Sequence, residues 1–358
     1  MVVRGGSGSH ASLAILFCPL ILKFQPKLFE IYDSSCHLAN DIMGETRRSN
    51  EKGAWLVMKP LAGKVAVVAG ATRGAGRGIA IGLGKAGATV YCTGRSVRGG
   101  LSNMNRQETI DETAELVAAA GGIGIAVRVD HTVESEVRAL FERVKAEQNG
   151  QLDLLVNDVW GGDPLTEWGK PFWEHSLEDG LLMQQRAVFS HMITSYYGAP
   201  LMTARKQGLI IEITDGVDNE YRGNLYYSLA KTSVIHLAKA MAEDLRPFGV
   251  TAVALTPGFL RSEAMLDHFG VTKENWRDAA AQEPHFLMSE TPAYIGGAVA
   301  ALAADPEVHL KTGKALSTWG LSEQYRFDDE DGSRPHWGNY AATIGTDASS
   351  EAGGREKT

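Results

Sequence analysis

The strongest constraint in this sequence is an alternation of two patterns that begins at Lys64. Short apolar runs rich in β-branched residues predict strands, and longer runs with an apolar residue every three or four positions predict amphipathic helices. The predicted strands are Val65–Ala69, Thr89–Thr93, Ile123–Val129, Leu152–Val156, Leu209–Ile213, Val250–Leu255 and Lys314–Ser317. Because helices separate strands that are apolar throughout, the sequence predicts an α/β fold. Its single parallel sheet of about seven strands is doubly wound, with helices on both faces.

A doubly wound, Rossmann-type sheet binds its ligands at the carboxyl ends of the strands. The longest predicted helix, near Leu182–Thr203, lies between the fourth and fifth strands, and another strong helix runs through Val234 to Leu245. Residues that directly follow the strands are therefore the first candidates for a functional site.

The regular pattern occupies only part of the 358 residues. Residues 58–340 are predicted to form the catalytic domain. Residues 1–57 lack the pattern and are predicted to be a non-catalytic extension. Two explanations of this extension are open. The start site is assigned too far upstream and the natural start is Met43 or Met58, or the extension is a targeting or anchoring segment. The small, polar segment 341–358 is predicted to be a disordered tail.

The charge and the cysteine content disfavour several classes of partner. Lys and Arg number 35 against 43 Asp and Glu, and the formal net charge of −8 argues against nucleic acid and anionic membranes. Cys18, Cys36 and Cys92 are too few and too far apart for a disulfide framework, and the ten histidines show no metal-ligand spacing. The apolar run Leu13–Leu22 is about half of the ~20 residues that a spanning helix needs. We expect a cytoplasmic protein with no metal site.

The first strand is followed directly by the glycine-rich segment GATRGAG, residues 70–76. Glycines there allow a tight turn and bring backbone N–H groups at a helix N-terminus close to a pyrophosphate. The residues assigned to cofactor binding are Gly70, Thr72, Arg73, Gly74, Ala75 and Gly76. A turn with only a structural role is the alternative, but the position between a first strand and a helix favours a dinucleotide.

The second strand ends at Thr93-Gly94-Arg95, with no carboxylate that could receive the ribose 2′-hydroxyl of NAD. Arg95 places a cation at this end instead, and Arg73 lies within the glycine turn. Two guanidinium groups can bracket a 2′-phosphate, so the sequence favours NADP(H) over NAD(H). The alternative is that both arginines only face solvent.

Tyr227 and Lys231 are four residues apart, so their side chains share one face of the helix that ends near Leu245. A phenol ordinarily titrates near pH ~10, and a neighbouring ammonium favours the phenolate, which would make proton transfer near neutral pH feasible. Such a pair is also common on helix surfaces, so its meaning depends on the other residues.

Taken together, these residues resemble the short-chain dehydrogenase/reductase family. The resemblance covers about Leu61–Gly320 and rests on a set in the family's order and approximate spacing: Gly70, Gly74, Gly76, Asp130, Asn157, Tyr227, Lys231, Pro257 and Gly258. The segments GRGIA…KAGATVY and DEDGSRP resemble the dehydrogenase/reductase member-1-like branch.

The resemblance implies an NADP(H)-dependent oxidoreductase that transfers a hydride between nicotinamide and a small carbonyl or alcohol substrate, with Tyr227 as the acid/base. Lys231 would hold the nicotinamide ribose and lower the tyrosine pKa. The family's serine, thirteen residues before the tyrosine, corresponds to Thr214, whose hydroxyl would bind the substrate oxygen. The family's helix asparagine has no clear match; Gln184 or Gln185 falls nearest, and Gln185 is the catalytic candidate for supporting a water relay to Lys231.

The resemblance also implies cofactor contacts outside the glycine turn. These are Asp130 and His131 after the third strand, Asn157 after the fourth, Tyr227 and Lys231, and the carboxamide loop Pro257, Gly258, Leu260 and Ser262. Homodimers and homotetramers are common in the family. The family's N-N-A-G stretch reads Asn157-Asp158-Val159-Trp160 here, and Asp215 beside Thr214 either caps a turn or adds negative charge to the site.

Other features leave the substrate and the activity open. The aromatic residues between Trp160 and Leu182 either line a substrate pocket or pack the loop onto the sheet, and Arg261–His285 resembles a lid. His191 is interpreted as a packing residue. Because Thr214 and Asp158 depart from the family pattern, a catalytically impaired NADP(H)-binding sensor or scaffold is the alternative function.

Overall fold

The structure is a computed structural model that describes residues 59–100 and 106–344. Within these residues the strands are β1 (Val65–Ala69), β2 (Thr89–Gly94), β3 (Ile123–Arg128), β4 (Leu154–Asn157), β5 (Gly208–Ile213), β6 (Val250–Thr256) and β7 (Ala315–Ser317). They form one parallel sheet in the order β3-β2-β1-β4-β5-β6-β7. The predicted fold class is therefore confirmed, with strand ends within two residues of the prediction.

Helices cover both faces of the sheet. They are α1 (Gly74–Lys85), α2 (Ile110–Ala119), α3 (Glu134–Glu147), α4 (Leu177–Gln184), a π-helical turn (Gln185–Phe189), α5 (Ser190–Arg205), α6 (Leu225–Leu245), α7 (Glu263–Phe269), α8 (Pro292–Ala304) and α9 (Thr318–Tyr325). Short 3₁₀ turns are Asp163–Leu165, Phe172–Glu174, Arg246–Phe248, Trp276–Ala281, Pro284–Met288 and Val308–Lys311.

Alternating side chains of the strands build two cores, one on each face of the sheet. On one face, residues such as Val68 and Val156 pack with α1 and α8, and on the other, residues such as Val67 and Leu155 pack with α3 and α5. The central strands are buried from end to end, which explains their continuous apolar sequence. The sheet order reverses at β1 and β4, so their carboxyl ends border a crevice for a ligand.

The predicted helix Leu182–Thr203 is longer in the structure and is interrupted. It begins at Leu177, where the Ser176 hydroxyl caps the N-terminus by accepting the Asp179 N–H at 3.2 Å, and it ends at Arg205 before the left-handed residue Lys206. Residues Gln185–Phe189 form the π-helical turn. The extra residue in that turn rotates the faces of the helix relative to each other, which a regular 3.6-residue pattern does not predict.

The chain continues past its last predicted core residues as a helical segment over 337–344. Trp337 packs on Phe259 with ring centroids 5.9 Å apart, and the Tyr340 hydroxyl lies 2.8 Å from His285 Nδ1. Residues 341–344, which the sequence assigns to a disordered tail, are therefore helical. Residues 345–358 and the predicted extension 1–57 lie outside the described residues.

Two further features concern the described part of the chain. Cys92 is a buried free thiol, and burial raises its pKa to about 12. In the same part, no helix combines the length and the apolar character that crossing a membrane requires.

Helices α1 and α8 touch backbone to backbone, because glycines face each other across the contact. A Cβ atom at Gly296 would overlap the carbonyl oxygen of Gly78, and one at Gly82 would lie 2.6 Å from the carbonyl oxygen of Gly296. This contact sets how closely α1, which follows the glycine turn, lies on the sheet.

We expect Gly296→Ala to lower the free energy of unfolding by about 1–3 kcal/mol, because the new methyl group meets rigid backbone. Gly297→Ala is the matched control: its Cβ would meet only the ring of Phe327, at 3.2 Å, and alanine favours the helix. Urea unfolding of both variants measures the difference. Equal stability of the two would show that the helices can separate without cost.

Candidate active site

The glycine turn between β1 and α1 has the geometry of an anion cradle. Gly70 and Gly74 adopt φ angles of +93° and +56°, which favour glycine. A Cβ at Gly70 would overlap the backbone of Asp158, and one at Gly76 would overlap the carbonyl of Gly70. The turn leads directly into the N-terminus of α1, and Thr72 and Ala75 are buried within it. These residues fit a pyrophosphate group.

A carboxylate from another element already occupies this helix N-terminus. The Gly74 N–H donates to Glu263 Oε2 at 2.8 Å, and Arg77 Nη1 lies 3.7 Å from the other oxygen of Glu263. Glu263 begins α7, directly after the carboxamide loop. The position predicted for the pyrophosphate therefore holds a negative charge supplied by the protein.

The two arginines predicted to recognise a 2′-phosphate both lie at the carboxyl end of β2. Arg73 Nη2 donates to the Ser96 hydroxyl at 3.4 Å, and Arg95 is the residue before that serine. Each is also balanced by a carboxylate, with Arg73 3.5 Å from Glu108 and Arg95 3.7 Å from Asp130. The site has the donors that a phosphate needs, and each phosphate contact would replace or extend an internal ion pair.

Asp130 and His131, which follow β3, have different surroundings. Asp130 lies beside Arg95 and accepts hydrogen bonds at Oδ1 from the N–H and hydroxyl of Thr132, so it also shapes the turn into α3. His131, assigned to the cofactor from the family resemblance, is buried: its ring nitrogens lie 2.8 Å from the Thr93 hydroxyl and 2.9 Å from the Thr194 hydroxyl. Burial lowers its pKa to about 3. The assignment is wrong for the His131 side chain, which fastens β2 to α5.

Asp158 is the departure from the family pattern that lies nearest the cradle. Its carboxyl group accepts the Gly76 N–H, and its main chain packs against Gly70. Burial raises its pKa to about 7, and the charge of Lys231 acts in the opposite direction. A carboxyl group that is partly protonated near neutral pH therefore supports the turn from below.

A buried polar network that the sequence did not predict lies below the site. Glu212 of β5 is completely buried; Asn157 Nδ2 donates to its Oε1 at 2.7 Å, and His191 Nδ1 lies 2.6 Å from its Oε2. Asn157 Nδ2 also donates to Ser195 at 2.8 Å, and its Oδ1 has no partner. Asn157 is thus a structural residue that turns its amide inward, which corrects its assignment to the cofactor.

The hydrogen bonds of His191 fix where its proton lies. Its Nε2 is 3.0 Å from the carbonyl of Val159, which can only accept, so Nε2 must donate. One more proton is then shared between Nδ1 and Glu212. His191 does pack in the core, as predicted, and in addition it ties the segment after β4 to β5.

Tyr227 lies in the first turn of α6, which Asn224 caps by accepting the Tyr227 N–H at 3.0 Å. The tyrosine hydroxyl donates to Asp215 Oδ2 at 2.9 Å. Burial and the adjacent Asp215 charge raise the pKa of the phenol well above its ordinary value. The net shift is thus opposite in direction to the lowering expected from Lys231.

The Lys231 ammonium group lies over the ring of Trp160. Its Nζ lies 3.9 Å from the ring centroid of Trp160 and 5.4 Å from that of Tyr227, and burial lowers its pKa. A cavity of about 20 Å³, large enough for one water molecule, is lined by Lys231, Asp158 and His191 among others. His191, and not a glutamine, is the polar residue of the α4–α5 region that lines this cavity together with the lysine.

The structure corrects two of the catalytic assignments. Thr214 is buried and donates its hydroxyl to the carbonyl of Lys231 at 2.7 Å, so its hydroxyl proton is used to position α6. Gln185 is exposed on the π-helical turn, whereas Gln184 donates to the carbonyl of Tyr226 at 2.8 Å. The residue count back from the tyrosine points to Thr214, but the residue after β5 that meets the tyrosine hydroxyl is Asp215.

The carboxamide loop after β6 is held by buried carboxyl and hydroxyl groups. The Gly258 N–H donates to Glu290 Oε2 at 2.8 Å, and burial raises the pKa of Glu290 to about 8. Leu260 pairs with Glu290 through the main chain, and the Ser262 hydroxyl caps α7. Pro257, Gly258, Leu260 and Ser262 lie together at the carboxyl edge of β6, next to the glycine turn, where Ser262 Cβ is 3.7 Å from a Cβ built at Gly74.

Aromatic residues surround Tyr227 on the side away from the sheet. The rings of Trp160 and Trp168 both lie 5.4 Å from the tyrosine ring, and the Trp160 indole donates to Asp163 at 2.6 Å. Phe172 and Trp173 contact each other and are largely exposed. Of these four residues, Trp160 and Trp168 pack beside the tyrosine. Phe172 and Trp173 do not pack the loop onto the sheet.

A much larger cavity, of about 700 Å³, lies at the opposite edge of the sheet. Its lining includes Leu61, Lys64, Asp153 and Arg246, at or near the amino ends of the strands. None of the predicted site residues borders it. We place the active site at the carboxyl edge, where the cradle and the tyrosine are.

The model of the short chain dehydrogenase family matches residues 64–269, which include the glycine turn, the tyrosine, the lysine and the carboxamide loop. This chain belongs to the short-chain dehydrogenase/reductase family. The chain is 37% identical to human dehydrogenase/reductase SDR family member 1 over 277 residues, which cover 76% of this chain and 85% of that protein. It is 29% identical to Escherichia coli 7alpha-hydroxysteroid dehydrogenase, covering 67% of this chain and 92% of that one. The predicted family and its member-1-like branch are therefore confirmed.

Solved structures agree with the fold. A short chain dehydrogenase from Mycobacterium thermoresistibile superposes with a TM-score of 0.64 at 22% identity, covering 77% of this chain and 92% of that chain. A putative NAD(P) dependent gluconate 5-dehydrogenase from Beutenbergia cavernae with bound NADP gives a TM-score of 0.57 at 25% identity, covering 73% and 97%. The protein is an oxidoreductase of a family that binds NAD(P) and transfers a hydride to or from small molecules.

We expect Glu263→Gln to tighten dinucleotide binding by roughly threefold to tenfold, about 0.7–1.4 kcal/mol, because an anion no longer competes for the Gly74 N–H. The matched control is Glu112→Gln, which removes a carboxylate paired with Arg77 but not in contact with Gly74. Titration of protein fluorescence with the cofactor measures both affinities. Weaker binding in Glu263→Gln would mean that Glu263 supports the loop rather than competing with the cofactor.

Proposed function

We propose that the protein is an NADP(H)-dependent oxidoreductase acting on a carbonyl/alcohol pair, with Tyr227 as the acid/base. The observation that carries this proposal is the position of the Tyr227 hydroxyl, which a capped helix N-terminus presents at the carboxyl edge of the sheet between Trp160 and Trp168. When bound, NADP(H) supplies or accepts the hydride. The glycine turn would hold its pyrophosphate, and the loop after β6 its carboxamide.

The preference for NADP(H) is supported by the charge at the end of β2. Arg73, Arg95 and the Ser96 hydroxyl lie together there, and no carboxylate ends the strand. A solved structure of a relative, the putative gluconate 5-dehydrogenase, contains NADP. Glu108 and Asp130 reduce the positive charge of this end, so the arginines must exchange partners when a phosphate arrives.

Replacing Arg95 with Gln tests the cofactor preference. We expect NADPH binding to weaken by about 10- to 100-fold, the strength of a charge-assisted hydrogen bond, with NADH binding almost unchanged. Arg98→Gln is the control, since the Arg98 guanidinium is exposed and pairs with Glu115 on the surface. Fluorescence titration with each cofactor gives the ratio, and equal losses for both cofactors would refute the preference.

Replacing Tyr227 with Phe tests the chemistry. We expect turnover of ketones, aldehydes and quinones, followed by NADPH absorbance, to fall at least 100-fold while cofactor binding persists. Tyr226→Phe is the matched control: Tyr226 is adjacent on the helix but packs against Gly180. Full activity in Tyr227→Phe would exclude the tyrosine as the acid/base.

The second candidate function is a sensor or scaffold that binds NADP(H) without turnover. The contact between Tyr227 and Asp215 favours it, because a phenol held by a carboxylate is a poor base. Tight NADPH binding with no turnover of any substrate by the unaltered protein would support this candidate.

The family supports a proposal on location and assembly. A cytoplasmic homodimer or homotetramer is typical of these enzymes, and light scattering of the purified protein tests the assembly. We also propose that residues 1–57 are non-catalytic.

A further inference from the structure

Asp215 is the second residue after β5, where its carboxylate meets the tyrosine that we propose as the acid/base. Its Oδ2 accepts the Tyr227 hydroxyl at 2.9 Å, and its Oδ1 lies 3.8 Å from Arg222 Nη1. The side chain is 42% exposed, so the carboxyl group also reaches solvent. Asp215 thus connects the reacting hydroxyl with water.

This contact changes what the tyrosine can do. A phenol that donates to a carboxylate keeps its proton, which is why the phenol pKa is raised after burial has been taken into account. A free phenolate base would require the loss of that hydrogen bond. The proton on Tyr227 already points at its acceptor, however, so it can leave in that direction when another proton arrives on the phenol oxygen.

We infer that Asp215 is a catalytic carboxylate that takes the Tyr227 proton during alcohol oxidation and returns it during carbonyl reduction. In oxidation, the substrate O–H proton moves to the Tyr227 oxygen while the tyrosine's own proton moves to Asp215 Oδ2. The substrate C–H hydride leaves for the oxidised nicotinamide at the same time. The substrate becomes a carbonyl, Tyr227 remains a phenol, and Asp215 becomes a carboxylic acid that releases its proton to solvent.

Thr214 does not offer an alternative acceptor. Its hydroxyl proton is donated to the main-chain carbonyl of Lys231 at 2.7 Å, inside the protein. Lys231 is also unsuited as a direct acceptor, because its Nζ lies over the Trp160 ring. Within the described residues, Asp215 Oδ2 is the hydrogen-bond acceptor found for the Tyr227 hydroxyl.

The charged groups around the pair determine the pH at which it works. Asp163, from the turn after β4, and Asp215 both disfavour loss of the phenol proton, and Arg222 favours it. Arg222 is shared with Asp218, which lies 3.0 Å from its Nη2. Lys231 of α6 completes the group, and Asp163 and Asp215 stabilise its charged form.

The inference predicts that loss of the Asp215 carboxyl group slows both directions. Oxidation should slow because no carboxylate accepts the tyrosine proton, and reduction should slow because no carboxylic acid returns it.

The test uses Asp215→Asn and Asp215→Ser, with Asp218→Asn as the control for a carboxylate that touches Arg222 but not Tyr227. In the cofactor-free protein, the ultraviolet titration attributed to Tyr227, obtained by subtracting that of Tyr227→Phe, should shift down by at least one pH unit in Asp215→Asn. In turnover, oxidation by Asp215→Ser should rise only in the alkaline range, where the phenolate forms, whereas Asp218→Asn should keep the wild-type profile.

This inference rests on the proposed function, but the two fail in different ways. Retention of the wild-type tyrosine titration and pH profiles in Asp215→Asn would overturn the role of Asp215 and leave the oxidoreductase intact. Full activity in Tyr227→Phe would overturn the proposed chemistry itself. If both Asp215 variants unfold at the same urea concentration as the wild-type protein, a change in the protein structure does not explain the result.

Discussion

The structure depends on backbone segments that lie so close together that a side chain would not fit between them. At the switch point of the sheet, Gly70 lies against the backbone of Asp158, and Gly76 lies against Gly70, so β1, β4 and α1 converge within one turn. One helical turn further along, Gly78 and Gly82 bring α1 against α8. The same close packing places the glycine turn at the N-terminus of α1, where the Gly74 N–H donates to the Glu263 carboxylate. The contacts that cover the sheet thus also shape the turn proposed for the cofactor.

A second constraint holds the catalytic edge from below. Glu212 is a carboxylate in the middle of the sheet, and its cost of burial is offset by Asn157, His191 and Ser195, which come from β4 and α5. Removing any one of these partners would leave a buried polar group unsatisfied. The network fixes the spacing of β4, β5 and α5, and therefore the positions of the residues that follow these strands, Asp158 and Asp215 among them.

The sequence predicts the strands well because each strand is apolar for local reasons, and it predicts the glycine turn because glycine is needed at particular φ angles. Prediction from the sequence fails where the position of a side chain depends on the length of a loop or on the phase of a helix. Thr214 was selected by counting back from Tyr227, and this count assumes a loop of fixed length between β5 and α6. Gln185 was selected on a regular helix, and the π-helical turn rotates it outward. The contact of His191 with Glu212 joins residues from two elements, and no periodic pattern records it.

The electrostatics of the edge explain how a protein of net negative charge can bind an anionic cofactor. Each arginine near the cradle is matched by a carboxylate: Arg73 by Glu108, Arg95 by Asp130 and Arg77 by Glu263. In such a site the electrostatic attraction between the cofactor phosphates and the arginines contributes little net binding energy, because each phosphate contact replaces a contact with a carboxylate of the protein. Affinity then depends on how easily the internal carboxylates move away. Glu263 is the one best placed to do so, since it belongs to the short helix α7, whereas Asp130 is fixed by Thr132. On the proposed function, the arginines would discriminate between the cofactors, and the acids that pair with them would set the strength of binding.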